Sequence, residues 1–139
     1  MTKLQEFLQG RDAKNAAVEY GTRIHARLQF ATARSLGDID ARLADNSEIA
    51  RFFGDGSRAE VPIAGIAGGR FVSRRIDRLL VGDGAVEFLD YKTDADHAAN
   101  REKYARQMAE YAALLRDAFP GHEVRGWILY LSDCSLESF

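Results

Sequence analysis

The sequence predicts an α/β domain: a mixed central sheet of about four strands, including an antiparallel hairpin, flanked by helices. Three observations carry that expectation. Apolar residues recur at helical spacing as far as Phe53, and the period changes at Ala59. An Asp83-Gly84 pair separates two strand-like runs, a strong short-range hairpin signal. A helical stripe over 98–119 is followed by a nearly continuous apolar run over 124–131, the pattern of a buried strand that lies parallel to a neighbour.

The elements follow in order. Asp12 to Phe53 reads as helical, with Val18, Ile24, Leu28 and Ala31 on one apolar stripe. Gly37-Asp38 breaks the run, and Asp38 is placed to cap a second helix carrying Leu43, Ile49, Phe52 and Phe53. Gly54-Asp55-Gly56-Ser57 ends the helical part. Glu60-Val61-Pro62-Ile63 is a short strand, at an edge because proline lacks a ladder donor. Gly68-Gly69 turns into a long strand, Phe71 to Val81, and Ala85 to Lys92 is the next. Tyr104, Met108, Tyr111, Leu115 and Ala118 stripe the last helix, which Pro120-Gly121 stops.

Composition bounds the function. The chain has 139 residues, two prolines, a net charge of −2 and one cysteine, Cys134. One thiolate excludes a disulfide framework, a zinc ribbon and a four-cysteine iron–sulfur cluster. No apolar run is long enough to span a bilayer and no leader pattern opens the sequence, so the reading is of a single cytoplasmic domain over 1–139 with no membrane partner. There is no overall basic field to attract nucleic acid. Arg70, Arg74, Arg75 and Arg78 form a local basic cluster, read either as phosphate contacts or as a solvated strand edge.

The hairpin carries the chemistry. With Asp83-Gly84 as the loop, Gly82 pairs with Ala85, and counting back along both strands sets Asp77 opposite Asp90. Leu79 opposite Phe88 and Val81 opposite Val86 share that face, so its lower part packs into core. Opposed like charges are destabilising without a counter-charge. A bridging divalent cation satisfies them, since carboxylate oxygens suit magnesium; a salt bridge to Arg75 or Lys92 is the alternative, and both stay open. Alternation puts Lys92 on the same face as Asp90. There an ammonium can orient a water, or stabilise transition-state oxygens, beside a metal that polarises a phosphate.

These stretches resemble the RecB-like branch of the PD-(D/E)XK nucleases, and more narrowly the nuclease domain of bacterial AddA-type helicase-nucleases. The matching segments are Gly21-Thr-Arg-Ile-His25, Ala59-Glu-Val-Pro-Ile63, Ile76-Asp-Arg-Leu79, Leu89-Asp-Tyr-Lys-Thr93 and Gln107-Met-Ala-Glu-Tyr111, in the family's order. The resemblance implies a restriction-endonuclease-like core and a magnesium-dependent DNA nuclease, with manganese as a substitute. It implies Asp77, Asp90 and Lys92 as catalytic residues. His25, Asp77, Asp90 and the Tyr91 carbonyl would be metal ligands, and Gln107, Tyr111 and Arg75 would lie on the nucleic acid. Glu60 stays undecided between the site and an ordinary strand start. Gly21, mid-helix, suggests close approach of another element, while His97 and His122 match no motif and are expected at the surface.

The segment between His25 and Glu60 is short for the family, and no GxxxxGK[ST] phosphate loop is present, so a helicase motor would be a partner or another part of a longer protein. The expected activity is exonucleolytic cutting of single strands in double-strand-break repair. The alternative is a silent nuclease fold that grips DNA or a partner protein.

Overall fold

The computed structural model describes residues 2–139, apart from the side chains of Lys14, Ala17 and Val18. The expected stripe position at Val18 therefore lies outside the described side chains. Helix α1 spans Lys3–Gln29 and starts well before Asp12. The reason is a capping box that the sequence spells as Thr2 and Gln5. The Gln5 amide donates to the Thr2 hydroxyl at 3.1 Å and the Thr2 amide to Gln5 Oε1 at 2.8 Å.

The second helical segment is broken into short pieces: α2 (Leu36–Ile39), α3 (Ala41–Asp45), α4 (Ser47–Ala50) and a 3-10 turn, Arg51–Phe53. Asp38 lies inside α2 and caps nothing. The caps are Asp40, accepting from the Arg42 amide, and Asn46, accepting from the Glu48 amide. Two N-cap residues within six positions stop one long helix from forming.

Strands β1 (Ser57–Ala67), β2 (Arg70–Val81) and β3 (Ala85–Lys92) precede α5 (His97–Ala118), β4 (Glu123–Tyr130) and β5 (Ser135–Ser138). The sheet has five strands in the order β1-β2-β3-β4-β5, antiparallel except for the parallel β3–β4 pair that α5 connects. Strand β5, four residues and mostly polar, carries too little periodicity to be read from sequence. Strand β1 is much longer than the expected four residues, and Pro62 does sit on an edge strand. Gly68 and Gly69 both have positive φ (59° and 77°), which glycine adopts without steric cost.

The sheet separates two cores. On one face, Ile24 and Leu28 of α1, with Leu36, Leu43, Ile49, Phe52 and Phe53, cover Leu89, Tyr91, Leu129 and Leu131. On the other, Tyr104, Met108, Tyr111 and Leu115 of α5 cover Ile76, Leu79, Val86, Phe88, Ile128 and Tyr130. Leu114, not Ala118, completes the helix's buried face, and it packs against Gly65. Val81, expected in the core with Val86, is 44% exposed at the strand end. His97 is half-buried and stacked on Tyr130 rather than free at the surface. Among the described residues, no helix is long and apolar enough to cross a membrane.

Candidate active site

The turn register holds as counted: Val81 pairs with Val86, Leu80 with Glu87, Leu79 with Phe88 and Arg78 with Leu89. There the ladder stops. Instead of continuing to the backbone of β2, the Tyr91 amide donates to the Asp77 carboxylate, Oδ2, at 2.8 Å. On the other side of β2, Ala59 pairs with Arg78 and Val61 with Ile76, while Glu60 and Asp77 between them are unpaired. Glu60 takes a left-handed backbone (φ 53°), uncommon for a residue with a side chain and frequent at functional sites.

Side-chain alternation slips at the same row. Ile76 and Leu79 both join the core under α5, while Arg78 turns to α1. Strict alternation would put Ile76 and Arg78 on one face. Glu60, Asp77 and Asp90 thus lie in one row across three strands, where the sheet opens and a side chain can reach both faces.

From the α1 face, His25 enters this opening. Its Nε2 lies 2.9 Å from Asp77 Oδ1 and 2.9 Å from Glu60 Oε1. The hydrogen bond and charge of Asp77, joined by Glu60, push the imidazole pKa up to about 9 against partial burial. From the α5 face come Asp90 and Lys92. Lys92 Nζ lies 2.9 Å from Asp90 Oδ2 and donates to Gln107 Oε1 at 2.7 Å, and it sits 4.6 Å from the centre of the Tyr104 ring. Gln107 Nε2 in turn donates to the Tyr111 hydroxyl at 3.1 Å. Burial, then the neighbouring Asp77 carboxylate, raises the pKa of Asp90, and Lys92 opposes the rise.

The sequence-predicted residues therefore fall into two groups. His25 and Asp77 converge with Glu60, with one ligand atom from each lying within 4.8 Å of the others. Asp90 stands beside this trio, held by Lys92. Tyr91 contributes its amide to Asp77, and its ring packs edge-on to His25 and stacks on Phe53. Arg75 is exposed, opposite Pro62, with no ion pair among the described residues, so it does not neutralise the carboxylates. Arg78 is not a phosphate contact either. It is buried against the end of α1, where it donates to the carbonyls of Leu28 (2.7 Å), Ala31 (2.9 Å) and Gln29 (3.2 Å), a cation at a helix C-terminus. Arg74 pairs with Glu110 at 3.0 Å. A Cβ on Gly21 would meet Thr93 at 3.5 Å, an ordinary contact, so the approach there does not require glycine.

The donor set fits a hard divalent cation. An imidazole nitrogen and two carboxylate oxygens converge on one point. Asp90 Oδ2 next to them is buried with no aligned hydrogen-bond donor among the described residues, its contact with Lys92 being electrostatic only. An open cleft of about 1060 Å³ leads to this point, lined by Gly21, His25, Glu60, Tyr91, Lys92 and Lys103 among others. Sequence reasoning left Glu60 undecided and did not single out Lys103; no spacing rule announces a left-handed glutamate.

The α/β fold with its mixed sheet thus brings carboxylates and a lysine together at a break between two strands, beside a cluster that could hold a metal ion. A model of the PD-(D/E)XK nuclease superfamily matches residues 2–137, and the chain belongs to that superfamily. No curated protein matches it significantly. Membership points to a nuclease-type function and to DNA as the ligand.

Proposed function

We propose that this chain, as a single domain over 1–139, is a divalent-metal-dependent deoxyribonuclease that cuts single strands exonucleolytically. In this reading it works in double-strand-break repair, with the strand delivered by a helicase motor or partner subunit, as in the AddA-type, RecB-like enzymes it resembles. The carrying observation is the row of Glu60, Asp77 and Asp90 at the break in the sheet, with His25 on one side and Lys92 on the other.

His25, Asp77 and Asp90, now with Glu60, hold the metal, magnesium or manganese in its place. Bound there, the ion would supply Lewis acidity toward a phosphate oxygen and toward water. The Tyr91 amide keeps Asp77 from rotating away, since its N–H fixes Oδ2 and leaves Oδ1 facing His25. Lys92 places a positive charge beside Asp90, where negative charge develops on phosphate oxygens during hydrolysis. Gln107 accepts the lysine's hydrogen bond and ties it to Tyr111, and in this reading both residues contact the DNA strand. Burial raises the Tyr111 pKa to about 12, so its hydroxyl stays protonated at neutral pH.

The test is cleavage of end-labelled single- and double-stranded DNA with magnesium, manganese or EDTA, with Lys92→Ala and Asp90→Ala proteins in parallel. The expected result is metal-dependent cutting of single strands from an end, lost in both variants. Metal binding without cutting, abolished by Asp90→Ala, would mean an intact site that lacks its motor or partner; neither cutting nor metal binding would point instead to a silent binding module.

A further inference from the structure

The β1–β2 hairpin has an uncovered face that the site above does not use. Its inner positions, Val61, Ile63, Gly65 and Val72, turn toward α5, with Leu114 reaching Gly65. The alternate positions form three cross-strand pairs: Pro62 with Arg75, Ala64 with Ser73, and Ile66 with Phe71. All six of these residues are exposed. Phe71 is 71% and Ile66 59% exposed, side by side at the hairpin tip. Residues 61–76 contain Arg70, Arg74 and Arg75 and no acidic residue, in a chain whose net charge is −2. Arg70 and Arg75 have no ion-pair partner among the described residues.

We propose that this outer face is a docking platform for single-stranded nucleic acid, with a base stacked on Phe71 beside Ile66 and backbone phosphates held by Arg75 and Arg70. The inference rests on the nuclease reading and extends it to a second contact region. Charge selects the ligand: on an acidic chain, an acid-free face with two arginines outside any ion pair among the described residues is complementary to a polyanion. Aromatic exposure selects single strands, because only unpaired bases offer a free π-face, and a basic surface combined with an aromatic platform is the usual solution. Position agrees as well. Arg75 lies two residues from Asp77 on the same strand, and Phe71 about 20 Å from it at about 3.3 Å per residue. A strand crossing the platform would therefore run toward the acidic row and meet it several nucleotides away.

The test is fluorescence anisotropy of a labelled oligothymidine of about 20 nucleotides in EDTA, using the whole chain. Phe71→Ala is expected to weaken binding at least about fivefold, Phe71→Leu to weaken it similarly, and Phe71→Trp to preserve it, because stacking rather than apolarity is read. Arg75→Ala is expected to reduce the slope of log K against log salt by about 0.7. Circular dichroism checks that these exposed substitutions leave the fold intact. Wild-type affinity in Phe71→Ala, in a protein that cuts DNA, would overturn the platform and leave the nuclease standing. Phe71-dependent binding by a protein that never cuts would do the reverse. An unchanged affinity with an altered oligomeric state would make the face a protein interface and also overturn the platform.

Discussion

Toward its turn, the β2–β3 hairpin is an uninterrupted antiparallel ladder, Arg78–Val81 against Val86–Leu89, whereas from Asp77 outward its strands part. In the first region four successive residue pairs keep register without a break, and Leu79, Val86 and Phe88 are buried. In the second a carboxylate takes the Tyr91 amide, a glutamate adopts positive φ, and Asp90 keeps an oxygen without an aligned donor. The regular half fixes register, and therefore which residues stand opposite one another. The irregular half gathers three carboxylates against two cations, His25 and Lys92, which is where a metal ion would be bound. Natural proteins tend to break local rules at functional sites.

The contrast breaks most sharply at Asp77. Both Asp77→Asn and Asp77→Ala are expected to lower cleavage by at least about a hundredfold, a scale set by the loss of one preorganised electrostatic group. Their stabilities separate them. Asparagine can still accept from the Tyr91 amide, whereas alanine leaves that buried donor orphaned at a cost of about 1–3 kcal/mol. Thermal melts of the two proteins measure the difference.

Against the regular half, where Gly126 of β4 lies beside Phe88, the expected effect is on stability alone. A Cβ at Gly126 would lie 2.6 Å from Phe88 Cζ and 2.9 Å from Met108 Cε. Gly126→Ala should therefore destabilise by about 1–3 kcal/mol through overpacking, with the cleavage rate of the folded fraction unchanged in a single-turnover assay.

The pH dependence sharpens the comparison at the other half. Asp77 raises the His25 pKa to about 9, above its unfolded value near 6.5. In EDTA the stability from that proton is fully present below about 6.5 and lost as pH rises through about 9. Melting temperature should fall across that window, and His25→Ala should flatten the slope. Because a cation competes with the same proton, metal affinity should rise over the same range.

The smallest effect is expected at Gly21. Alanine fits against Thr93, so Gly21→Ala should stabilise α1 by about 1 kcal/mol through helix propensity, read as a raised melting temperature.

Much of this was legible in the sequence, for physical reasons. The Asp83-Gly84 pair fixed the loop and the register as far as Arg78 and Leu89; one step further, where the count sets Asp77 opposite Asp90, the ladder stops and Asp77 takes the Tyr91 amide instead. The 104-108-111-115 spacing located the buried face of α5. What escaped were features set by tertiary context rather than by pattern. Arg78 reads as one more arginine in a basic cluster until α1 ends beside it with carbonyls to satisfy. The left-handed turn at Glu60 leaves no compositional trace. Strand β5 forms because β4 offers an edge to four polar residues that would not make a strand alone. The Thr2–Gln5 box, by contrast, was there to be read, and it moves the start of α1 by nine residues.

The most direct test of the account is a calorimetric titration of manganese into the wild-type and Asp77→Asn proteins at neutral pH. The account predicts saturable binding by the wild type, accompanied by proton release from His25 and a raised melting temperature, and loss of all three in the variant. Equal manganese binding by both proteins would contradict it, because the break in the sheet would then not be the metal site.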